Sequence, residues 1–345
     1  MGEPQVKRWY VEKNAFGAGQ PPKQLRLTAP EMPHQYPVLI FQHGTSMYTA
    51  WYSTILDHVA SRGYVVIAPQ MYTICPPKST DANEEILEAA AVIHWISSNQ
   101  DKLGLPLGVT LDFDKLALAG HSRGAKVAVA LARKLLNTDV TMRALAALDP
   151  VDGPKNGNPI AKDTRPSEPA TSECSTDHSV DLGVPALLFG SGLGGSPTLG
   201  GLAGPCAPAA LGYAQFFRAF KSTTYQFVAK DYGHMDILDG KKEGCPSFSR
   251  FKNCLATKVC PGCGPGRSRG ELRSYLGDLL VAFLDSSLKN KPGGLEKLRV
   301  EWESAPIAVE QPKVYASPSS EPGRGPDQST SHYESPTRVL EPASV

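Results

Sequence analysis

The chain has 345 residues, of which 41% are hydrophobic and a further 32 are glycine, a composition that excludes disorder of the whole chain. Its 35 Lys and Arg stand against 34 Asp and Glu, leaving a net charge of +1, so bulk electrostatics holds neither nucleic acid nor an anionic membrane. A partner must be recognised locally. No apolar run approaches the ~18 residues that span a bilayer. Residues 1–10 show neither a secretory apolar segment nor an Arg/Ser-rich transit pattern, and Val6 stands where a myristoylation signal needs Ser or Thr. Seven cysteines are an odd number and too few to build a fold, so the core must be hydrophobic.

In chain order, the apolar run Tyr36 to His43 between Pro37 and Gly44 reads as a buried strand. Residues 47–62 place Trp51, Ile55 and Val59 at helical spacing and stop at Gly63, a C′ glycine. A second buried strand follows at Tyr64 to Ala68. After Pro76-Pro77, the capping-box spacing of Asp81 and Glu84 opens a helix carrying Ile86, Ala90, Ile93 and Ile96. Lys115 to Ala119 runs straight into Gly120-His-Ser-Arg-Gly124, and Val127, Ala130, Leu131 and Leu135 then describe a helix. Strands at Arg143 to Leu148, Val184 to Phe189 and Tyr225 to Ala229 alternate with a helix around Leu211 to Lys221. The last helix, Glu271 to Leu288, buries Leu272, Leu276, Leu279, Leu280 and Phe283. Continuous apolar strands separated by helices predict an α/β fold, a mostly parallel central sheet with helices on both faces.

One domain is expected over residues 1–303. From Ser304 to Val345 the composition shifts to 7 Pro and 8 Ser in 42 residues without hydrophobic periodicity, and this stretch reads as a disordered tail. The Gly-rich segment 190–206 lies between a strand and a helix, either as a mobile loop over a site or as a solvated linker.

The strongest chemical signal is Gly120-x-Ser122-x-Gly124, because an apolar strand precedes it and an amphipathic helix follows. A serine on this tight turn stands exposed at a helix N-terminus, where backbone N–H groups face any negative charge that develops. The plainer alternative is a Gly-rich turn whose serine caps the helix. A serine hydroxyl needs a base, and on this architecture the acid and then the histidine follow in the chain. His234, in the loop leaving the strand Tyr225 to Ala229, is placed to be that base; His178 lies in a polar loop and reads as an exposed loop residue. For the acid, Asp149 comes where Pro150 stops a strand, with Asp152 as the alternative three residues on. The strand Val184 to Phe189 is followed by Gly190-Ser191-Gly192, with no carboxylate. Two oxyanion donors are expected, the N–H of Arg123 after the nucleophile and that of Thr45 in the loop Phe41 to Thr45. His43 reads as a brace for that loop.

Cys245, Cys254, Cys260 and Cys263 cluster within 19 residues, and Cys260-Pro-Gly-Cys263 has the spacing of a zinc knuckle. No second close pair or nearby histidine completes a regular site, which favours disulfides or free thiols over zinc.

Several separated stretches resemble the chlorophyllase family of α/β-hydrolases: Leu116 to Lys126 (LALAGHSRGAK), Leu148 to Gly153, Val184 to Gly194, Pro205 to Pro208, Phe227 to Asp239 and the last helix. The resemblance covers roughly residues 5–290. It implies the α/β-hydrolase fold and a triad of Ser122, Asp149 and His234, with no metal or organic cofactor. It also implies cleavage of the phytyl ester of chlorophyll, giving chlorophyllide and phytol. The partner so implied is a small apolar ester bound in an apolar groove under the loop 190–206. The place implied is a chloroplast or another internal membrane surface, although no transit segment is visible. Ala125 departs from the family, which usually has a second glycine there, and the long tail after Ser304 is foreign to it. The same triad would serve a general carboxylesterase or lipase, and the fold without turnover a ligand-binding protein.

Overall fold

Strands that are apolar on both sides can be covered by helices on both faces, and the central strands of this chain meet that requirement. A computed structural model describes residues 5–14, 17–72, 82–136, 138–152, 180–198, 204–239, 260 and 262–317. Among them, nine strands form a single sheet: β1 (Val6–Val11), β2 (Leu25–Pro30), β3 (His34–Gln42), β4 (Val65–Pro69), β5 (Val109–His121), β6 (Met142–Leu148), β7 (Ala186–Ser191), β8 (Thr224–Ala229) and β9 (Lys313–Tyr315). Their spatial order is β1-β2-β4-β3-β5-β6-β7-β8-β9. The six from β4 to β8 are mutually parallel, and at the two edges the pairs β1–β2, β2–β4 and β8–β9 are antiparallel.

The helices are α1 (Ser53–Ser61), α2 (Ala82–Ser98), α3 (Arg123–Leu135), α4 (Tyr213–Ala219), α5 (Arg269–Lys289) and α6 (Gly293–Val300). Each core takes alternate residues of the strands. Along β6, Leu145 and Ala147 pack with α2, α3 and α4, while Ala144, Ala146 and Leu148 pack with α1, α5 and α6. The four leucines that the sequence assigns to the last helix, Leu272, Leu276, Leu279 and Leu280, are all buried, and each is worth about 1.5–3 kcal/mol. Ser268 caps α5 by accepting the N–H of Glu271, so this helix begins two residues before the expected start.

The fold differs from the sequence reading at both ends of the described chain. The first two strands, β1 and β2, are additional to those expected. In β2 the buried Arg26 looks unlike a core residue, but its guanidinium reaches Asp57 at 2.9 Å and Ser53 at 3.1 Å on α1, which satisfies the charge. The expected tail boundary at Ser304 is a correction. Ile307 and Val309 are buried and residues 313–315 form β9 against β8, so the chain as far as 317 belongs to the domain. Proline-rich composition hid a short edge strand, a place where prolines are tolerated. Residues 318–345 and His178 lie outside the described residues. The parallel strands end together on one edge, the usual place for ligands in open α/β sheets.

Candidate active site

Ser122 occupies the turn between β5 and α3 with φ 57° and ψ −124°, a conformation that costs a residue with a Cβ about 1–3 kcal/mol. The surroundings hold it there. Its N–H donates to the carbonyl of Leu148 (3.0 Å), and its own carbonyl accepts the N–H groups of Ala125 (3.1 Å) and Val151 (3.3 Å). A Cβ on Gly120 would overlap the backbone of Gly124, and one on Gly124 would overlap the carbonyl oxygens of Gln42 and His43, so both glycines are sterically required. Ala125 is fully buried, and its methyl is accommodated in the core.

The structure brings Ser122, His234 and Asp149 into one hydrogen-bonded line. Ser122 Oγ lies 2.9 Å from His234 Nε2, and His234 Nδ1 lies 2.7 Å from Asp149 Oδ2. All three residues are buried. The Asp149 N–H donates to Phe189 on β7 (2.6 Å), which extends the β6–β7 ladder by one bond before φ turns positive and the chain leaves the sheet.

Asp149 has a second set of partners that the sequence reading missed. The Ser191 N–H donates to Oδ1 (3.1 Å) and the Ser191 hydroxyl to Oδ2 (2.6 Å), so one residue at the end of β7 serves both carboxylate oxygens. The signal was present in Gly190-Ser191-Gly192, a segment notable in the sequence only for lacking a carboxylate.

Asp152 is not part of this line. It forms a buried ion pair with Lys126, one turn into α3, and its N–H donates to Leu211. Of the segment 190–206, residues 190–198 and 204–206 are described: the N–H groups of Gly192 and Leu193 donate to the carbonyls of Ala229 and Tyr232, and that of Ala207 to the carbonyl of Gly194.

The loop carrying His234 is anchored from two sides. Asp236 Oδ2 accepts the Gly233 N–H (2.7 Å), and Asp236 Oδ1 pairs with Arg269 at the start of α5 (2.6 Å). Arg273, one turn further, donates to the carbonyl of Leu238 (2.8 Å). Burial pushes the Asp236 carboxyl above its ordinary pKa, opposed by the Gly233 N–H and Arg269.

On the opposite side, His43 braces the expected oxyanion loop. Its Nε2 accepts the Met71 N–H (2.9 Å), so the proton sits on Nδ1, which donates to the carbonyl of Gly44 (2.8 Å). Burial lowers this ring to about 4, so it is neutral near pH 7, and both of its nitrogens are engaged by backbone groups. The same carbonyl accepts the Met47 N–H (3.2 Å). Across the trans peptide the N–H of Thr45 points in the opposite direction to that carbonyl. Thr45 is exposed, whereas Arg123 is buried with its guanidinium turned to Glu85 on α2 (2.7 Å). The Arg123 N–H is among the first four of α3, which have no partner within the helix.

Cys260 is joined to Cys206, with 5.9 Å between their Cα atoms, and is thereby removed from any zinc knuckle with Cys263, a thiol. Cys245 and Cys254 lie outside the described residues. Among the described residues, no group of His, Cys, Asp and Glu could hold a metal ion, and no helix is long and apolar enough to cross a membrane.

An alcohol, an imidazole and a carboxylate in line, with the alcohol at a helix N-terminus on the C-terminal edge of a parallel sheet, belong to the α/β-hydrolase class. The chlorophyllase family model matches residues 1–316. Chlorophyllase-2 of Arabidopsis thaliana is 35% identical over 307 residues, 88% of this chain and 90% of the relative. A protein of Citrus unshiu named chlorophyllase-1, chloroplastic, is 32% identical over 306 residues, 88% of this chain and 84% of the relative. A solved ferulic acid esterase from Streptomyces cinnamoneus shares the fold at 17% identity, with a TM-score of 0.54 over 85% of this chain and 92% of that one. The chain belongs to the chlorophyllase family and is a carboxylic ester hydrolase.

Proposed function

We propose that this enzyme hydrolyses the phytyl ester of chlorophyll or a close pigment relative, with Ser122 as nucleophile, His234 as base and Asp149 as its orienting acid. The observation that carries the mechanism is the continuous line from Ser122 Oγ through His234 to Asp149 at 2.9 and 2.7 Å. As Oγ attacks the ester carbonyl, its proton passes to Nε2, and Asp149 stabilises the resulting imidazolium. The N–H groups of Thr45 and Arg123 receive the oxyanion, each worth roughly 3–4 kcal/mol in the transition state. His234 then protonates the leaving alcohol oxygen, and a water molecule activated by the same base releases the acyl group from Ser122. Side chains, backbone N–H groups and water suffice for each step.

The choice of a pigment ester is supported by the relatives named chlorophyllase, two of them from Arabidopsis thaliana. The chloroplastic names of the Citrus relatives support action in a chloroplast or at another internal membrane surface. The test is purified Ser122→Ala beside wild type on chlorophyll and on short p-nitrophenyl esters, with product analysis. Chlorophyllide release by wild type and its loss in Ser122→Ala are expected. Cleavage of short esters alone would replace the pigment esterase with a general carboxylesterase, and unchanged hydrolysis by Ser122→Ala would refute the nucleophile.

A further inference from the structure

Two buried residues that the triad does not use, Tyr52 and His121, connect the oxyanion loop to the base. The Tyr52 phenol accepts the N–H of Gly44 (3.0 Å) and lies 2.9 Å from His121 Nδ1 and 2.8 Å from Met47 Sδ. His121 Nε2 lies 3.0 Å from the backbone carbonyl oxygen of His234, and the two imidazole rings are 4.6 Å apart between centroids.

The direction of this chain follows from what each group can do. A carbonyl only accepts, so His121 Nε2 carries a proton. Burial and then the neighbouring His234 hold the His121 ring well below its ordinary pKa, which leaves Nδ1 bare. A bare Nδ1 is a far better acceptor than a thioether, so the single Tyr52 proton points to it and Met47 only packs alongside. Donors therefore run from Gly44 N–H to Tyr52 and from Tyr52 O–H to His121 Nδ1, while His121 Nε2–H serves the carbonyl of His234. A Cβ at residue 44 would stand 2.6 Å from Met47 Sδ and 3.3 Å from His121 Nδ1, so a larger residue there would have to displace the Met47 side chain and press on His121.

We propose that Tyr52 and His121 are positioning residues for ester hydrolysis, a directional hydrogen-bond chain that keeps the Gly44–Thr45 turn and the His234 backbone in register on one substrate carbonyl. The inference rests on the roles assigned above to Ser122, His234 and Thr45. Both side chains are fully buried and act on the site through the Gly44 N–H and the His234 carbonyl, so the loss of either is felt where the oxyanion forms.

The test is Tyr52→Phe, assayed per folded molecule on a p-nitrophenyl ester. A trifluoromethyl ketone, whose adduct with a serine carries the tetrahedral oxyanion, serves as the transition-state probe. The expected result is a fall in kcat of roughly 10- to 100-fold with KM held within about twofold, and a parallel loss of affinity for the ketone. His121→Gln can present an amide oxygen to Tyr52 and an N–H to His234, so it should retain several-fold more kcat than His121→Leu. This pair keeps the test decisive if Tyr52→Phe folds poorly. A rise in KM alone, a ketone affinity per folded molecule equal to wild type, or His121→Leu matching wild type would overturn the chain. Ser122→Ala is run in parallel. Activity persisting there sinks the catalytic reading itself, whereas its abolition beside a wild-type kcat in Tyr52→Phe sinks only the positioning role.

Discussion

The two aspartates that follow β6 allow a sharp test, because the structure gives them unrelated partners three residues apart, His234 and Ser191 for Asp149 and Lys126 for Asp152. In Asp149→Asn, the Ser191 N–H needs an acceptor at the Oδ1 position, so the amide oxygen is held there and the NH2 falls at the Oδ2 position, 2.7 Å from His234 Nδ1. Nδ1 must then accept, the ring proton moves to Nε2, and Nε2 can no longer take the Ser122 proton. Trapping the wrong tautomer predicts a fall in kcat of about 10,000-fold, about 5 kcal/mol of transition-state stabilisation. The fold should survive, since the Ser191 hydroxyl can rotate to accept from the new NH2. Asp152→Asn does the reverse. It removes the carboxylate charge from the buried Lys126–Asp152 pair, which costs roughly 3–5 kcal/mol of stability, while kcat per folded molecule stays within several-fold of wild type. The assays are steady-state kinetics on a p-nitrophenyl ester with active-site titration, and urea unfolding followed by fluorescence. An Asp149→Asn protein keeping more than about a tenth of wild-type kcat would refute the tautomer argument. A folded Asp152→Asn protein losing as much as expected for Asp149→Asn would reverse the assignment.

Burial holds His43 at about 4 in the folded protein against 6.5 when unfolded, so below pH 6.5 the unfolded chain binds the extra proton and stability falls as pH drops toward 4. At pH 5 this amounts to about 2 kcal/mol, and His43→Gln should flatten the dependence of unfolding free energy on pH by that amount. The raised carboxyls of Glu85 and Asp236 act in the opposite sense, since the folded state takes up their protons first, and they cancel in the comparison of the two proteins. An equally steep dependence in His43→Gln would contradict the neutral brace. The Cys206–Cys260 disulfide closes a sequence separation of 54, for which chain entropy gives about 4 kcal/mol. Reducing agent or Cys206→Ser should lower the thermal midpoint, and blocking Cys263 alone should not; a midpoint unmoved by reduction would mean the bond contributes nothing to stability.

What was legible in the sequence was whatever burial alone dictates. Phe41, Leu118, Ala146 and Leu188 sit in runs with no polar interruption, and the expected strands match β3, β6 and β7 within a few residues. The strand β5 was shortened to its apolar end because Asp112, Asp114 and Lys115 break the run, although Asp112 and Lys115 pair with each other at 2.7 Å. β1 and β2 escaped because Lys7, Arg8 and Arg26 conceal the pattern; Arg8 and Arg26 converge on Asp57, a partnership between distant positions that no local window contains. In the site, Ser122, His234 and Asp149 announced themselves through strand ends and chain order. Ser191, Tyr52, His121 and Asp236 did not, because a hydroxyl or a second carboxylate acquires its role only from the group it meets in space. The link from Cys206 to Cys260 was hidden for the same reason, since Cys260 has a nearer partner in sequence.

The position of the acid can be argued from the sheet itself. β6 and β7 are neighbours in parallel register, with Leu148 opposite Phe189, so Asp149 and Ser191 leave adjacent strands at nearly the same height. After β7 the chain has little freedom. A Cβ on Gly190 would overlap the Tyr213 ring and one on Gly192 the backbone of Lys230, so residue 191 is the place in that turn from which a side chain reaches the imidazole. A carboxylate at 191 beside Asp149 would put two like charges within about 3 Å, raising one pKa until it held a proton and leaving His234 with a poorer partner. Given an acid on β6, residue 191 therefore has to be small, neutral and a donor. Serine meets all three conditions, and it donates two hydrogen bonds to the Asp149 carboxylate. The carboxylate after β6 and the serine after β7 are thus one arrangement expressed at two residues, so substitutions at 149 and 191 should be non-additive in kcat.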